Sequence, residues 1–464
     1  MESRKHFLKQ ISYTLTSNTI SLIITSLLML VIPKYLGVTN YGYWQLYVFY
    51  STYTSYLSLG LTDGLFISVA GLNYDELEKN TIRMQFYFLI VMYLFISTFI
   101  VIFIEFTQQN MNKTIVLYYS LLSGLILVPR SLLTFVLQGT SRVKEYSFIL
   151  ILDRISYFII SIILIIAGVV DYDAYIKADI FGKGVSFIFS LYILKDLVIG
   201  KLLIGYEVLK DIYININVGI KVLAANLSSI LIIGTSRYYI QNYWSIETFG
   251  EVSLTFSLSN IITTFINAIS VVLFPKINRW SIEEKKDKYL KIRKKVSFSL
   301  IAILPFFYIL KYFVIFFLPQ YYGSIKYLSV LFPLILFDGK VILLLNNYLK
   351  SLREEKYILK VNFLAVVLNV LTSFLIIKLS KNLFFLLSLL IILLFFRSLL
   401  LELKINKILK TSTKDYIIFE ILFISIFFII STYVDSLYGL IIYYALFFIT
   451  ISRISGNRKR GKSH

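Results

Sequence analysis

The sequence predicts an all-α polytopic membrane protein with about 14 transmembrane helices, and three observations carry that prediction. Of its 464 residues 58% are apolar and only 16% charged, giving a mean hydropathy of +0.78, beyond what a water-soluble globule carries. Apolar runs of the roughly 20 residues that a helix needs to cross a hydrocarbon core of about 30 Å recur from end to end. These runs are continuous, whereas a membrane barrel would show alternating segments of about ten residues.

In order, the spans lie near 11–32, 43–69, 82–105, 114–139, 146–169, 175–197, 214–240, 249–274, 296–318, 325–349, 357–378, 383–403, 416–434 and 436–453. The last two form one apolar block broken only around Asp435 and Ser436. The polar stretch PKYLGVTNYGYW, from Pro33 to Trp44, reads as the first tight link of the bundle. The polar start MESRKHFLKQ leads into a full-length span with no small-residue cleavage site, so an uncleaved first helix is expected.

Charge distribution sets the topology. With the N-terminus inside, the inner segments hold 31 lysines and arginines and the outer turns only Lys34, Lys113, Lys177, Lys326, Lys378 and Lys381. That asymmetry is the positive-inside rule and puts both termini in the cytoplasm. The net charge of +20 is therefore topology plus attraction to anionic lipids, and no nucleic-acid partner is needed to explain it. The run from Lys276 to Lys295, with Trp280, Tyr289 and Leu290 among its cations, reads as an interfacial helix on the cytoplasmic surface. Having no cysteine, the chain forms no disulfide or thiolate-metal site, and its two histidines, His6 and His464, sit at the ends. The loops contain no glycine-rich phosphate cradle, and the outer ones are too short for a catalytic domain.

An internal repeat organises the spans. Tyr41-Gly42 after the first span and Phe249-Gly250 after the seventh are offset by 208; Tyr146 and Tyr357, after the fourth and tenth, differ by 211. Two six-helix lobes follow: residues 1–212 with helices 1 to 6 and 213–410 with helices 7 to 12, while 411–464 adds two helices and a basic tail.

Polar stripes mark candidate lining positions. Thr14, Asn18, Ser21 and Thr25 share a face of helix 1; Ser51, Ser55, Ser58 and Thr62 one of helix 2; Ser253, Ser257, Asn260, Thr264 and Asn267 one of helix 8. Such stripes face either a neighbouring helix or a hydrated cavity suited to a hydroxyl-rich ligand. Charges inside spans cost about 2.5–3.5 kcal/mol each near the helix centre. Of these, Asp179, Lys221, Lys311 and Arg397 lie near helix ends, where side chains can snorkel to the interface. Arg130 and Lys340, 210 residues apart, lie at matching depth in the two halves, so a diphosphate held between two cations is one reading. Pairing of Arg130 with Asp63 or Asp153, and of Lys340 with Asp338 through water, is the other.

The stretch PKYLGVTNYGYWQLYVFYSTYTSYLSLGLTDGLFISVAG, with LQGTSRVKEYSF, FGEVSLTFSLSNIITTFINAISVVLFPKI and AVVLNVLTSFLIIK, resembles the Wzx-type flippases of O-antigen and capsule repeat units. These belong to the multidrug/oligosaccharidyl-lipid/polysaccharide (MOP) exporter superfamily, and the likeness runs from about Lys5 to Leu409. It implies a V-shaped two-lobe bundle working by alternating access on undecaprenyl-diphosphate-linked oligosaccharides. It also implies no cofactor, H+ or Na+ as the candidate coupling ion, and the polysaccharide polymerase machinery as a further partner. Asp63-Gly64 matches the family's Asp-Gly after helix 2, but Ser68 replaces a basic residue, and Ser236 stands where an acid would precede Arg237. From a related lipid II flippase only a lipid groove beside helices 13 and 14 carries over, because helix 1 here has no arginine.

The expected function is thus flipping of the lipid-linked unit from the cytoplasmic to the outer leaflet of a bacterial cytoplasmic membrane. Arg130, Arg154, Lys340 and Arg237 are the expected contacts to its anionic headgroup, and Asn18, Ser21, Thr25, Ser55, Ser58, Asp63, Ser257, Asn260, Thr264 and Asn267 the polar lining. The alternatives are a multidrug exporter of the same superfamily, which should show a net acidic cavity, and a membrane polysaccharide polymerase or ligase, which should show a larger external loop.

Overall fold

A computed structural model describes residues 2–107, 110–202, 205–434 and 436–460. Its chain is helical in order: α1 (Glu2–Thr54), a 3₁₀ turn (Ser55–Ser58), α2 (Leu61–Val69), α3 (Lys79–Thr107), α4 (Met111–Gly139), α5 (Val143–Ile166), α6 (Tyr172–Ile193) and the short α7 (Lys195–Val198). Then come α8 (Tyr206–Tyr243), α9 (Ile246–Arg279), α10 (Ile282–Ile303), α11 (Phe306–Phe317), α12 (Ser324–Leu331), α13 (Leu334–Lys340) and α14 (Asn346–Ser351). α15 (Glu355–Leu379), α16 (Leu383–Leu409), α17 (Lys414–Tyr433) and α18 (Tyr438–Arg460) complete it. Among the described residues eleven helical segments are long and apolar enough to cross a membrane. One of them, Thr19–Ser58, bends at Gly37 and so combines two of the fourteen expected spans. Helix α6 is a further span whose Asp173, Lys177, Asp179 and Lys183 depress its hydropathy, and α18 contributes the apolar stretch Tyr438–Thr450.

The first link is a kink in α1. Pro33 withholds a backbone donor, and Gly37 takes φ 71°, ψ 168°, a conformation open essentially to glycine alone. The span expected over 43–69 is not continuous. It stops at Thr54, and Leu59 and Gly60 are left-handed before α2 resumes. The expected break at Asp435 lies outside the described residues.

Contacts divide the chain into two compact units, Met1–Leu227 and Ser228–His464, with the division inside α8. The sequence reading ends its first half at residue 212; contacts carry unit 1 on to Leu227 and gather α17 and α18 into unit 2. In unit 1, Leu61, Leu65, Leu89, Leu132 and Val136 form a dry core. There α2 and the start of α8 touch backbone to backbone: a Cβ on Gly64 would lie 1.9 Å from the Asn215 carbonyl oxygen, and one on Gly219 1.9 Å from that of Gly60. One end of the unit is clasped by polar side chains. Asp196 accepts from Lys79 at 2.7 Å and from the Tyr74 hydroxyl at 2.7 Å, and Arg83 donates to the Asp196 carbonyl at 2.6 Å.

In unit 2, Ile277, Tyr289, Leu344, Tyr348 and Leu401 form a second core. The span from Ser324 to Ser351 is broken after Phe332 by Pro333 and carries a π turn, Val341–Leu345, immediately after Lys340. The hydroxyl of Ser270 donates to the Ile342 carbonyl within that turn at 2.7 Å. The run from Lys276 to Lys295 does not form a separate helix: it covers the last turn of α9 and the first half of α10. α10 runs unbroken from Ile282 to Ile303 with Tyr289, Arg293, Val296 and Leu300 buried along one face, so its basic half packs against the protein and continues directly into the apolar half.

Candidate functional site

Three helices of unit 1 bring five charges together. On α6, Asp179 and Lys183 are four residues apart and so share a face. They pair directly, and the Tyr47 hydroxyl from α1 donates to Asp179 at 2.6 Å while Lys183 donates to Tyr47 at 3.1 Å and to Ser123 at 2.9 Å. On α5, Asp153 and Arg154 are consecutive and diverge by about 100° around the helix. Asp153 points to α4, where Arg130 donates to it at 2.7 Å and also to Ser186. Arg154 points the other way and makes no hydrogen bond or ion pair among the described residues, although Asp153 and Asp179 are within electrostatic reach.

Beside this cluster lies a cavity of about 340 Å³ lined by Arg154, Asp179 and Lys183, by Trp44, Tyr47 and Tyr157, and by Thr25, Ser51, Thr52 and Ser55. Trp44 Nε1, Ser51 Oγ and Tyr157 Oη are buried without a close hydrogen-bond partner among the described residues. Three cations face two carboxylates here, a surplus of one positive charge, and the half-buried Arg154 carries it.

Unit 2 holds a different network. Arg293 donates to Glu402 at 2.6 Å and to Glu420 at 2.7 Å; Lys340 reaches the same acids at 3.1 and 2.8 Å. All four side chains are at most 1% exposed. Nearby, Arg397 binds Asp338 at 2.9 Å, Asn362 at 2.8 Å and Ser229 at 3.0 Å.

Several expectations change accordingly. Arg130 pairs with Asp153, one of the two acids expected for it, whereas Lys340 pairs with Glu402 and Glu420 rather than Asp338, which belongs to Arg397. Asp179, Lys311 and Arg397 do not snorkel: all three are buried, whereas Lys221 is exposed. Arg237 donates to Ser253 at 3.0 Å and stacks over Phe249. Among the polar positions, Thr25 and Ser55 line the cavity, Ser21 is half-buried, and Ser58 is buried and accepts from Thr62 at 3.2 Å. Asp63 is half-buried on α2. Ser257 is buried, and Asn260, Thr264 and Asn267 are exposed on α9. Thr14 and Asn18 lie outside the residues whose side chains are described.

The sequence reading missed Trp44, Tyr47 and Tyr157, whose aromatic signal is lost among 75 other aromatic residues of the chain. It also missed Glu402 and Glu420, although a lone acid inside LLLELKI and IIFEILF was visible.

No family model matches the chain, and no curated protein matches it in sequence. Solved structures do match in fold. "Lipid II flippase MurJ, inward closed conformation" aligns at a TM-score of 0.70 with 11% identity, covering 98% of this chain and 100% of that one. An inward-facing "multidrug resistance MATE family transporter of the MOP superfamily" aligns at 0.64 with 14% identity, covering 86% and 96%. The protein thus has the fold of MOP-superfamily transporters, a multi-pass membrane architecture whose structural neighbours here are transporters.

Proposed function

We propose that the protein is a flippase that carries undecaprenyl-diphosphate-linked oligosaccharides from the cytoplasmic to the outer leaflet of a bacterial cytoplasmic membrane, for O-antigen or capsule assembly. The observation that carries this reading is the unit 1 cavity: a hydroxyl- and aromatic-lined space among membrane-spanning helices with one cation to spare. Hydroxyls and aromatic faces suit sugars, and the surplus Arg154 suits an anion. Arg130 and Lys340, each already engaged with carboxylates, act as positioning residues, and Arg237, which donates to Ser253, plays a like part within unit 2. Alternating access driven by H+ or Na+ completes the reading. A multidrug exporter that takes cations would want the opposite sign of cavity.

The test is flipping of a fluorescent undecaprenyl-diphosphate oligosaccharide in proteoliposomes. Wild type should move it to the opposite leaflet, and Thr25→Val combined with Ser55→Ala should slow it at unchanged protein content. Export of cationic dyes with no movement of any lipid-linked glycan would overturn the reading.

A further inference from the structure

The charge balance of the unit 1 cavity says which kind of anion it takes. The lining charges are Arg154, Lys183 and Asp179, and the pair behind them, Arg130 with Asp153, is neutral. Whether or not that pair is counted, the surplus is a single positive charge. A diphosphate carries about two negative charges near neutral pH and would leave one of them uncompensated in this space, and burying an unpaired charge is strongly unfavourable. A carboxylate brings one charge and closes the balance. Its two oxygens fit a guanidinium in a bidentate pair, and the Arg154 guanidinium has all five of its N–H donors free among the described residues.

Part of the remaining wall fits the ring that would bear such a group, and Leu28, Met29, Val48 and Leu127 complete it. Trp44, Tyr47 and Tyr157 offer flat apolar faces, and the buried Trp44 Nε1 beside Tyr157 Oη, with Ser51 Oγ beside the Tyr47 hydroxyl, are only loosely satisfied by one another. Thr52 donates back to the Val48 carbonyl at 2.8 Å and Ser55 to that of Thr52 at 3.2 Å, so both keep oxygen lone pairs to accept from hydroxyls. The volume of about 340 Å³ is in the range of small-ligand sites. We infer that this cavity is a subsite for one acidic sugar, a hexuronate-type residue whose carboxylate is held by Arg154, and that the carried glycan is therefore acidic. The inference rests on the reading that a glycan enters the cavity.

Two measurements keep the site and the flippase reading separable. In the first, free glucuronate and free glucose are titrated against the purified full-length protein while tryptophan fluorescence is followed, since Trp44 lines the cavity. Glucuronate should perturb the signal at concentrations at least about tenfold below glucose, a preference of about 1.4 kcal/mol. Arg154→Gln should erase the preference while leaving the melting temperature in place, and Trp44→Phe should remove the signal. Equal response to both sugars, or a preference that survives Arg154→Gln, overturns the inference.

In the second, a glucuronate-bearing lipid-linked oligosaccharide is compared in proteoliposomes with its carboxyl-reduced form, which keeps the diphosphate. Wild type should move the acidic form at least about tenfold faster, and Arg154→Gln should move both alike. An equal loss of both forms in Arg154→Gln would assign Arg154 to the diphosphate, sinking the acidic-sugar subsite and sparing the flippase. Glucuronate binding that depends on Arg154, with no flipping of either form, would sink the flippase reading and spare the subsite.

Discussion

Units 1 and 2 each bury a cluster of ion pairs among membrane-spanning helices, and they finish it differently. In unit 2, two cations meet two carboxylates with every charge inside 3.1 Å of a partner and no side chain more than 1% exposed. In unit 1, three cations meet two carboxylates, and the unmatched one turns into a cavity. Charges this deep are expensive unless paired, so the closed quartet reads as a structural tie between α10, α13, α16 and α17. The open cluster keeps a costly imbalance that packing alone does not account for. Where imbalance and cavity coincide, a ligand is the economical explanation.

The largest effects should come from breaking the closed side. Glu420→Gln leaves Arg293 and Lys340 with one carboxylate between them, and truncating one member of a buried pair costs about 3–5 kcal/mol. Thermal unfolding of the detergent-solubilised protein should show that loss. The double variant Lys340→Met with Glu420→Gln restores balance around Arg293 and Glu402 and should cost less than the two single losses added, with a coupling of about 0.5–3 kcal/mol. Strict additivity would mean that the four charges do not act as a unit, and the contrast with unit 1 would fail.

An intermediate effect belongs to the open side. Tyr47→Phe removes the hydroxyl that bonds Asp179 at 2.6 Å and accepts from Lys183 at 3.1 Å, but leaves those two paired with each other. A buried hydrogen bond to a charged group contributes about 1.5–3 kcal/mol, so the melting shift should fall below that of Glu420→Gln. A larger shift would make Tyr47, rather than the ion pair, the organiser of the unit 1 cluster.

What the sequence made legible follows the same divide. Apolar runs place the helices because length and hydropathy are local properties, and Pro33 with Gly37 marks the first kink for the same reason. Partners are a matter of packing. Arg130 meets Asp153 from a neighbouring helix 23 residues away, and Arg293 meets Glu402 and Glu420 from 109 and 127 residues away. Nothing in spacing reports those distances. Arg293 was further hidden by lying in a basic run that topology alone explains. Asp179 lies near a helix end, which suggested snorkelling, and only its pairing with Lys183 and the arrival of Tyr47 from α1 fix it inside. The break of the second span at Leu59 and Gly60 was equally hidden, since the run stays apolar through it.

A smaller effect sets a solvent-side reference for the two clusters. Burial pushes the Asp196 carboxyl up, but hydrogen bonds from Lys79 and Tyr74 outweigh it and hold it below the usual carboxylate range. A depressed folded value contributes stability above the unfolded value of about 3.9, lost as pH falls through the folded one. With Lys79 and Asp196 each 38% exposed, the pair is screened and Asp196→Asn should cost less than about 1 kcal/mol. The melting difference between wild type and Asp196→Asn should hold steady from about pH 8 to 5 and close below about pH 4. A difference that grows on acidification would reverse the assignment of the clasp.

The smallest stability effect should come from the residue with the most to say about function. Arg154 touches no partner among the described residues, so Arg154→Gln breaks no ion pair and strands no carboxylate. Its melting shift should stay within about 1 kcal/mol, because only a through-space attraction to Asp153 and Asp179 is given up. Lys340→Met in unit 2 also removes one positive charge, yet it should cost several kcal/mol because Glu402 and Glu420 lose a partner. Matching shifts in the two variants would show that Arg154 is already held by Asp153 or Asp179, and the cavity would then have no charge to offer an anion. A flat melting profile for Arg154→Gln beside a collapsed one for Lys340→Met would locate the functional charge in unit 1 by stability alone.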